Sequence, residues 1–292
     1  MASVGPMACY APINGFRGTD GRIRFGRTSE AYRDKPIQVP CGRCIGCRLE
    51  RSRQWAVRIM HESQLHDRNC FLTLTYDDEH LPPGGTLEKS DFQKFARTAR
   101  KRIGRFRYYQ CGEYGETTGR PHHHVCLFGK DFAHDREPFK TTKDGHPLFT
   151  SRTLSRLWPL GHAYIGQLTF ASAAYVARYC TKKVNGSQAA EHYGDRVPEY
   201  STMSRRPGIG ADWINRFQTD VYPSDQVIVN GRATKPPKFY DQQLEKNNKT
   251  LHEIIKSQRK AKAEQNPDNT PDRLATREEV SELRAKQWQR DF

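Results

Sequence analysis

Three short segments in the middle of the chain restrict its fold more than anything else in the sequence. Residues 70–76 (CFLTLTY) carry β-branched and aromatic side chains in alternation, the pattern of a strand, and 105–111 and 122–128 read as two further strands. The second and third are joined by the turn-rich stretch 112–119, which is too short for a helical crossover and implies an antiparallel pair. The third is apolar after its histidines, as a central strand is. Helical periodicity fills the intervals. One helix is expected over 49–66, with Trp55, Ile59 and Met60 on one side. A second runs to about Ile103 from Ser90-Asp91-Phe92-Gln93, which reads as a capping box. A short helix lies near 154–158, a strand over 162–168, and a further helix over 171–183, stopped by Asn185-Gly186. Strands interleaved with helices but linked by short turns predict an α+β fold, an antiparallel sheet with helices packed on one face.

The expected organisation is a Cys-rich segment with a basic helix at 1–66, a core at 67–187, an extension at 188–241 that includes a Val227-Ile228-Val229 strand, and a polar tail at 242–292. The tail is rich in Lys, Glu and Gln and reads as solvated helix or partial disorder. The formal charge is +15, from 48 Lys and Arg against 33 Asp and Glu. Acidic and basic residues nearly balance in the tail, so almost all the excess lies in residues 1–240. Such a charge predicts a polyanionic partner, most commonly nucleic acid. No apolar run is long enough to span a membrane, and the start of the chain lacks the pattern of a secretory signal. The eight cysteines are too few for a disulfide scaffold, which favours metal binding for any cluster of them.

Pro121-His122-His123-His124-Val125 lies on the third strand. Side chains alternate there, so His122 and His124 face one way and His123 the other. Glu113, near the end of the preceding strand, can reach the same face if the two strands pair around the 112–120 turn. Glu116, in the turn itself, is a weaker candidate. Two imidazoles and a carboxylate suit Mn²⁺ or Mg²⁺ with positions open to a phosphate. The helix over 171–183 carries Tyr175 and Tyr179 four residues apart, hence on one face, among Arg178, Lys182 and Lys183. A tyrosine helix is usually just packing, but this one is basic. Together these elements describe a phosphodiester transfer. A divalent ion grips a phosphate oxygen, a tyrosine attacks, and lysine steadies the developing charge. The products are a 5′-phosphotyrosyl link and a free 3′-OH.

Those residues resemble the HUH endonuclease superfamily, and the His pair preceding the tyrosine helix is the order of replication initiators. Relaxases place the tyrosine first. The stretches VPCGRCIGCRLERSRQWAVRIMHES, NCFLTLTYDDEHLP, YYQCGEYG, GRPHHHVCLFG, RLWPLGHAYIGQ, SAAYVARYCTKK, MSRRPGIGA and KPPKFYD resemble more closely the rolling-circle replication initiators of microviruses of the gokushovirus branch, over residues 37–241. The resemblance implies His122 and His124 as metal ligands, Tyr175 and Tyr179 as nucleophiles, and an RNA-recognition-like antiparallel sheet. It also implies single-stranded and replicative-form viral DNA at the origin as the substrate, in the host bacterial cytoplasm. The residue between the two ligands is itself histidine, a departure from the family's hydrophobic residue.

Cys41, Cys44 and Cys47, with Cys9 upstream, have the spacing for a structural Zn²⁺ site. Three cysteines so spaced also suit an iron–sulfur cluster, and unliganded thiols are the bland alternative. Cys70, Cys111, Cys126 and Cys180 read as packing residues. Arg97, Arg100, Lys101 and Arg102, in the basic run that ends the second helix, form the expected phosphate-backbone surface, to which Arg178 adds. No G-x-x-x-x-G-K-[ST] motif is present, so strand separation would fall to a host helicase and synthesis to a host polymerase. The competing readings are an HUH-type transposase or relaxase, which the motif order disfavours, and a non-catalytic zinc-knuckle DNA-binding protein, which leaves the histidines and tyrosines unexplained.

Overall fold

The structure is a computed structural model that describes residues 9–18, 20, 22–25, 31–115, 118–142, 145–182 and 188–288; the side chains of 31–35, 179–182, 188 and 286–288 are outside that description. The chain divides into two compact units, residues 52–247 and residues 1–51 with 248–292.

In chain order, β1 (Ile13–Gly18), β2 (Ile23–Arg24) and β3 (Ala31–Val39) form a three-stranded antiparallel sheet of order β2-β1-β3. Residues 1–40 read in the sequence as irregular or short-strand structure, and among the described residues the strands form. The unit division falls within α1 (Ile45–Ser63). There follow β4 (Asn69–Thr75), α2 (Lys89–Ile103), β5 (Arg107–Tyr114), β6 (Pro121–Phe128), β7 (Arg136–Thr141), β8 (Pro147–Ser151), α3 (Arg152–Leu157), β9 (Ala163–Gly166) and α4 (Phe170–Lys182). Next are α5 (Gln188–Tyr193), β10 (Tyr200–Met203), α6 (Ala211–Val221), the hairpin β11 (Val227–Val229) and β12 (Arg232–Thr234), and α7 (Lys238–Asn247). The tail region forms helices α8 (Lys249–Glu264) and α9 (Pro271–Trp288), most of whose described residues are exposed.

The larger unit is built on a seven-stranded sheet of order β10-β5-β6-β4-β9-β8-β7, every pairing antiparallel. The fold is therefore α+β with an antiparallel sheet, as the sequence predicts. The helices, however, occupy both faces rather than one. Strand alternation explains why. On one face Cys70, Leu72 and Leu74 of β4 and Val125 and Leu127 of β6 join Phe92, Phe95, Ala96 and Ala99 of α2 and Leu154 and Leu157 of α3. On the other face Tyr109, Cys111, Cys126 and Phe128 join Ala56 and Ile59 of α1 and Ala173 and Val176 of α4. Both sides of β6 are thus apolar, so each needs a helical cover. Burial of a leucine such as Leu72 contributes about 2 kcal/mol.

Local chemistry sets the ends of these elements. The buried residues of α2 recur at the spacing of one helical face. Its cap is Glu88, whose carboxylate accepts the Ser90 N–H at 2.9 Å, so Ser90 lies inside the helix rather than capping it. Gly104, with φ +81°, ends it. The β7–β8 hairpin was not apparent in the sequence because β7 is exposed along its whole length and lacks alternation.

Gly161 sits where the loop before β9 presses on the end of β4. A Cβ there would stand 2.4 Å from the Asp77 backbone nitrogen and 2.5 Å from the Thr75 carbonyl oxygen. Both obstacles are backbone, so the strand end must move. Gly161→Ala is expected to destabilise the unit by about 2–3 kcal/mol and lower its Tm by roughly 4–12 °C, read by circular dichroism. An unchanged Tm would contradict this packing.

Candidate active site

The register of two strand pairs assembles the site. Opposite one another on β5 and β6 lie Glu113 and His122, then Cys111 and His124; opposite His124 on β4 lies Thr73. β5 continues to Tyr114, beyond the turn expected at 112, and so Glu113 is a strand residue whose direction is fixed. His122 Nε2 is 2.8 Å and His124 Nε2 3.0 Å from the same oxygen, Glu113 Oε1. The Tyr175 hydroxyl of α4 donates to that oxygen at 3.3 Å. The His124 and Tyr175 rings meet edge to face, 5.1 Å apart. The α4 helix is held over the sheet by Ala173, Val176 and Ala177, all fully buried, and Tyr175 projects from beside this apolar stripe.

A second set of contacts orients the imidazoles. His122 Nδ1 donates to the Arg120 carbonyl at 3.1 Å, and His124 Nδ1 lies 3.1 Å from the Thr73 hydroxyl. Each Nε2 is thereby turned toward Glu113, the arrangement by which ligating histidines are normally fixed. Glu113 is 2% exposed, His124 8% and His122 14%, so the group opens to solvent on the side of His122. There a cleft is lined by Thr75, Asp77, Arg120 and His162. The Arg120 guanidinium bonds Asp78 at 2.7 Å and the Tyr76 carbonyl at 3.1 Å.

Burial alone would raise the Glu113 carboxyl, but the hydrogen bonds from His122 and His124 outweigh it and hold the group below the usual carboxylate range. Burial pushes the His124 imidazole down, against the pull of Glu113, so His124 tends to be neutral and able to ligate. One carboxylate oxygen and two imidazole nitrogens, all within 4.8 Å of one another, form a donor set that could hold a metal ion. Adjacent ligands of an octahedral ion lie about 3 Å apart, close to the separations seen. His123 faces the opposite way, into the core under α2. It meets Gln110 at 3.1 Å and the Tyr76 hydroxyl at 3.2 Å, and burial lowers its imidazole to about 3. It is a neutral packing residue with both ring nitrogens satisfied.

Other residues singled out in the sequence fall in different places. Tyr179 and Lys182 belong to α4, but their side chains are outside the described residues, as are Glu116 and Lys183 altogether. Arg178 lies on α4, half-buried. Arg97, Arg100, Lys101 and Arg102 are exposed on α2, which covers the face of the sheet opposite the Glu113–His122–His124 group. The basic run is therefore not brought to that group. Arg100 instead lies 4.9 Å over the ring of Phe106. Thr73 and the Arg120 carbonyl were not recognised from sequence. Thr73 could have been found by extending the alternation of FLTLTY across to the histidine strand.

In the smaller unit Cys9, Cys41, Cys44 and Cys47 converge, their sulfurs all within 4.8 Å of one another, and form a second group that could hold a metal ion. Backbone N–H groups surround them. Cys41 donates to Cys9 at 3.2 Å, Arg43 and Cys44 to Cys41 at 3.4 and 3.3 Å, and Tyr10 and Cys47 to Cys44 at 3.4 and 3.5 Å. Burial opposes ionisation of Cys41, but the N–H groups of Cys44 and Arg43 outweigh it and lower that thiol to about 7. Burial raises Cys9 and Cys47. Four sulfurs this close cannot all ionise without a cation between them. Cys70, Cys111 and Cys126 are buried in the larger unit as packing residues; the side chain of Cys180 is outside the described residues.

Comparison with known proteins bears on the same stretch of chain. The family model for replication-associated protein ORF2 matches residues 69–184, which include Glu113, His122, His124 and both tyrosines of α4. Over 252 residues the chain is 35% identical to replication-associated protein VP4 of Bdellovibrio phage phiMH2K, covering 82% of this chain and 78% of that protein. It is 35% identical over 224 residues to replication-associated protein ORF2 of Spiroplasma virus 4, covering 71% and 68%. With replication-associated protein ORF4 of Chlamydia phage 1 the identity is 28% over 217 residues, 71% of this chain and 54% of that protein. No solved structure matches. The coverage and identity over most of both chains establish that this protein belongs to the family of phage replication-associated proteins.

Proposed function

We propose that this protein starts rolling-circle replication by nicking single-stranded viral DNA at the origin, and later rejoins it, through a 5′-phosphotyrosine intermediate. The observation that carries this reading is the convergence of a tyrosine hydroxyl and two imidazole nitrogens on one oxygen of a buried, ionised carboxylate. His122, His124 and Glu113 would hold Mn²⁺ or Mg²⁺. When bound, such an ion supplies Lewis-acid polarisation of a phosphoryl oxygen.

The chain's own residues account for the rest. A tyrosine hydroxyl is a weak nucleophile at neutral pH, with an ordinary pKa of about 10. The Tyr175 proton points at the Glu113 carboxylate, which can draw it off as the oxygen–phosphorus bond forms. The bond from phosphorus to the 3′ oxygen breaks, and that oxygen leaves as a hydroxyl on taking up a proton. A phosphodiester is consumed and a phosphodiester is formed, so a later 3′-OH can reverse the step with no energy source. Tyr179, one helical turn on, is the proposed second nucleophile for the linked transfer that ends a round. Arg178, Lys182 and Lys183 balance phosphate charge, and Arg97, Arg100, Lys101 and Arg102 bind flanking DNA backbone away from the scissile bond. The 3′-OH is the primer for a host polymerase, and a host helicase opens the replicative form, all in the host bacterial cytoplasm. The four cysteines are proposed to hold one structural Zn²⁺, which would cross-link the segments that carry them.

A labelled single-stranded origin oligonucleotide should be cut in Mn²⁺ or Mg²⁺, give a 3′ end that a DNA polymerase extends, and remain intact with chelator. Glu113→Gln should weaken metal-dependent cutting by at least about 10- to 100-fold, with partial recovery as the ion concentration rises. Failure to cut in any divalent ion would overturn the enzymatic reading. For the cysteines, elemental analysis should find one zinc per chain, lost in Cys44→Ser. A zinc-free protein of unchanged stability would remove that assignment.

A further inference from the structure

The α4 helix packs on β5, β6 and β10, which leaves the other half of the same sheet face to be considered. That half belongs to β4, β9, β8 and β7. Thr73 of β4 is paired with Tyr164 of β9, so Tyr164 faces the same way as Thr73 and His124. Its neighbours Ala163 and Ile165 are buried on the opposite face. His162, bonded through its backbone to Thr75, stands two residues from Tyr164 on the same side. Phe139 of β7 stacks on Tyr164, with ring centroids 5.0 Å apart and planes 28° apart; the His162 ring follows at 6.4 Å and 23°. Lys140 places its ammonium 5.5 Å from the Phe139 ring and 6.0 Å from that of Tyr164.

This arrangement is not a core. Phe139 is 49% exposed, and every residue of β7 is exposed. Three near-parallel rings and an ammonium group lie on the surface, one strand away from the threonine that orients His124, and His162 also lines the cleft beside His122. Flat rings with an adjacent cation are the elements with which proteins hold unpaired bases and their phosphates. A duplex offers no free base faces, so such a surface selects single strands. The chain's charge of +15 suits the same partner.

We propose that Phe139, Tyr164 and His162, with Lys140, form a stacking platform that holds the unpaired bases of the substrate strand as it enters the Glu113–His122–His124 group. This rests on the reading of that face as the one that cleaves single-stranded DNA, and it gives a role to residues that the cleavage step does not use.

The test is binding without cleavage. Full-length protein with chelator present is titrated with fluorescein-labelled oligothymidine and with a duplex of equal length, read by anisotropy. Phe139→Ala and Tyr164→Ala should each weaken oligothymidine binding by about 5- to 100-fold, leave duplex binding unchanged, and recover in Phe139→Trp and Tyr164→Phe. Bromodeoxyuridine in the oligonucleotide should crosslink, on irradiation of the unsubstituted protein, to peptides that contain Phe139 or Tyr164. Wild-type oligothymidine affinity in both alanine variants, an equal loss on duplex, or crosslinks found only elsewhere would overturn the platform. Chelator suppresses cutting, so these results do not depend on nicking. A platform that fails while origin nicking succeeds, or the converse, separates the two proposals.

Discussion

The register between β5 and β6 is the constraint on which the rest depends. It sets Glu113 against His122 and Cys111 against His124, so one carboxylate and two imidazoles share a face. A slip of one residue would reverse every side chain of a strand, sending His122 and His124 into the core under α2 and turning His123 to the face that α1 and α4 cover. The cores prevent that slip. Val125 and Leu127 must meet α2 and α3, while Cys126 and Phe128 must meet α1 and α4. The same apolar contacts that stabilise the sheet therefore place the site, and the fully buried alanines and valine of α4 bring Tyr175 to it.

The three consecutive histidines show how position decides chemistry. His123 is sealed among Gln110, Tyr76 and aromatic rings, and its low basicity keeps it an uncharged packing residue. His122 and His124 have the same side chain but face a carboxylate, with the Arg120 carbonyl and Thr73 holding their second nitrogens. Burial would raise the Glu113 carboxyl, but the hydrogen bonds from the two imidazoles outweigh it and hold the group below the usual carboxylate range.

Much of this was legible in the sequence because it depends on short-range periodicity. Alternation separates His122 and His124 from His123, and helical periodicity predicts the helix that carries Tyr175. Long-range facts were less accessible. That helices cover both faces follows from β6 being apolar on two sides, which a strand read alone does not reveal. The sequence reads the basic run of α2 as a phosphate-backbone surface without saying on which face of the sheet it lies; the buried Phe92 and Phe95 of that helix fix it to the face opposite the Glu113–His122–His124 group. The Phe139–Tyr164 stack was invisible because β7 has no alternation, and because the two residues meet only through sheet order β4-β9-β8-β7.

The central claim is that a tyrosine of α4 becomes joined to DNA beside the histidine pair. Protein incubated with origin oligonucleotide and Mn²⁺ can be denatured, digested with nuclease and trypsin, and analysed by mass spectrometry. Arg178 lies between the two tyrosines, so trypsin separates them onto different peptides. The account predicts a nucleotide phosphate on the peptide that ends at Arg178, carrying Tyr175, or on the one that begins at Tyr179. Adducts on any other residue, or cleaved DNA with no protein–DNA adduct, would contradict it.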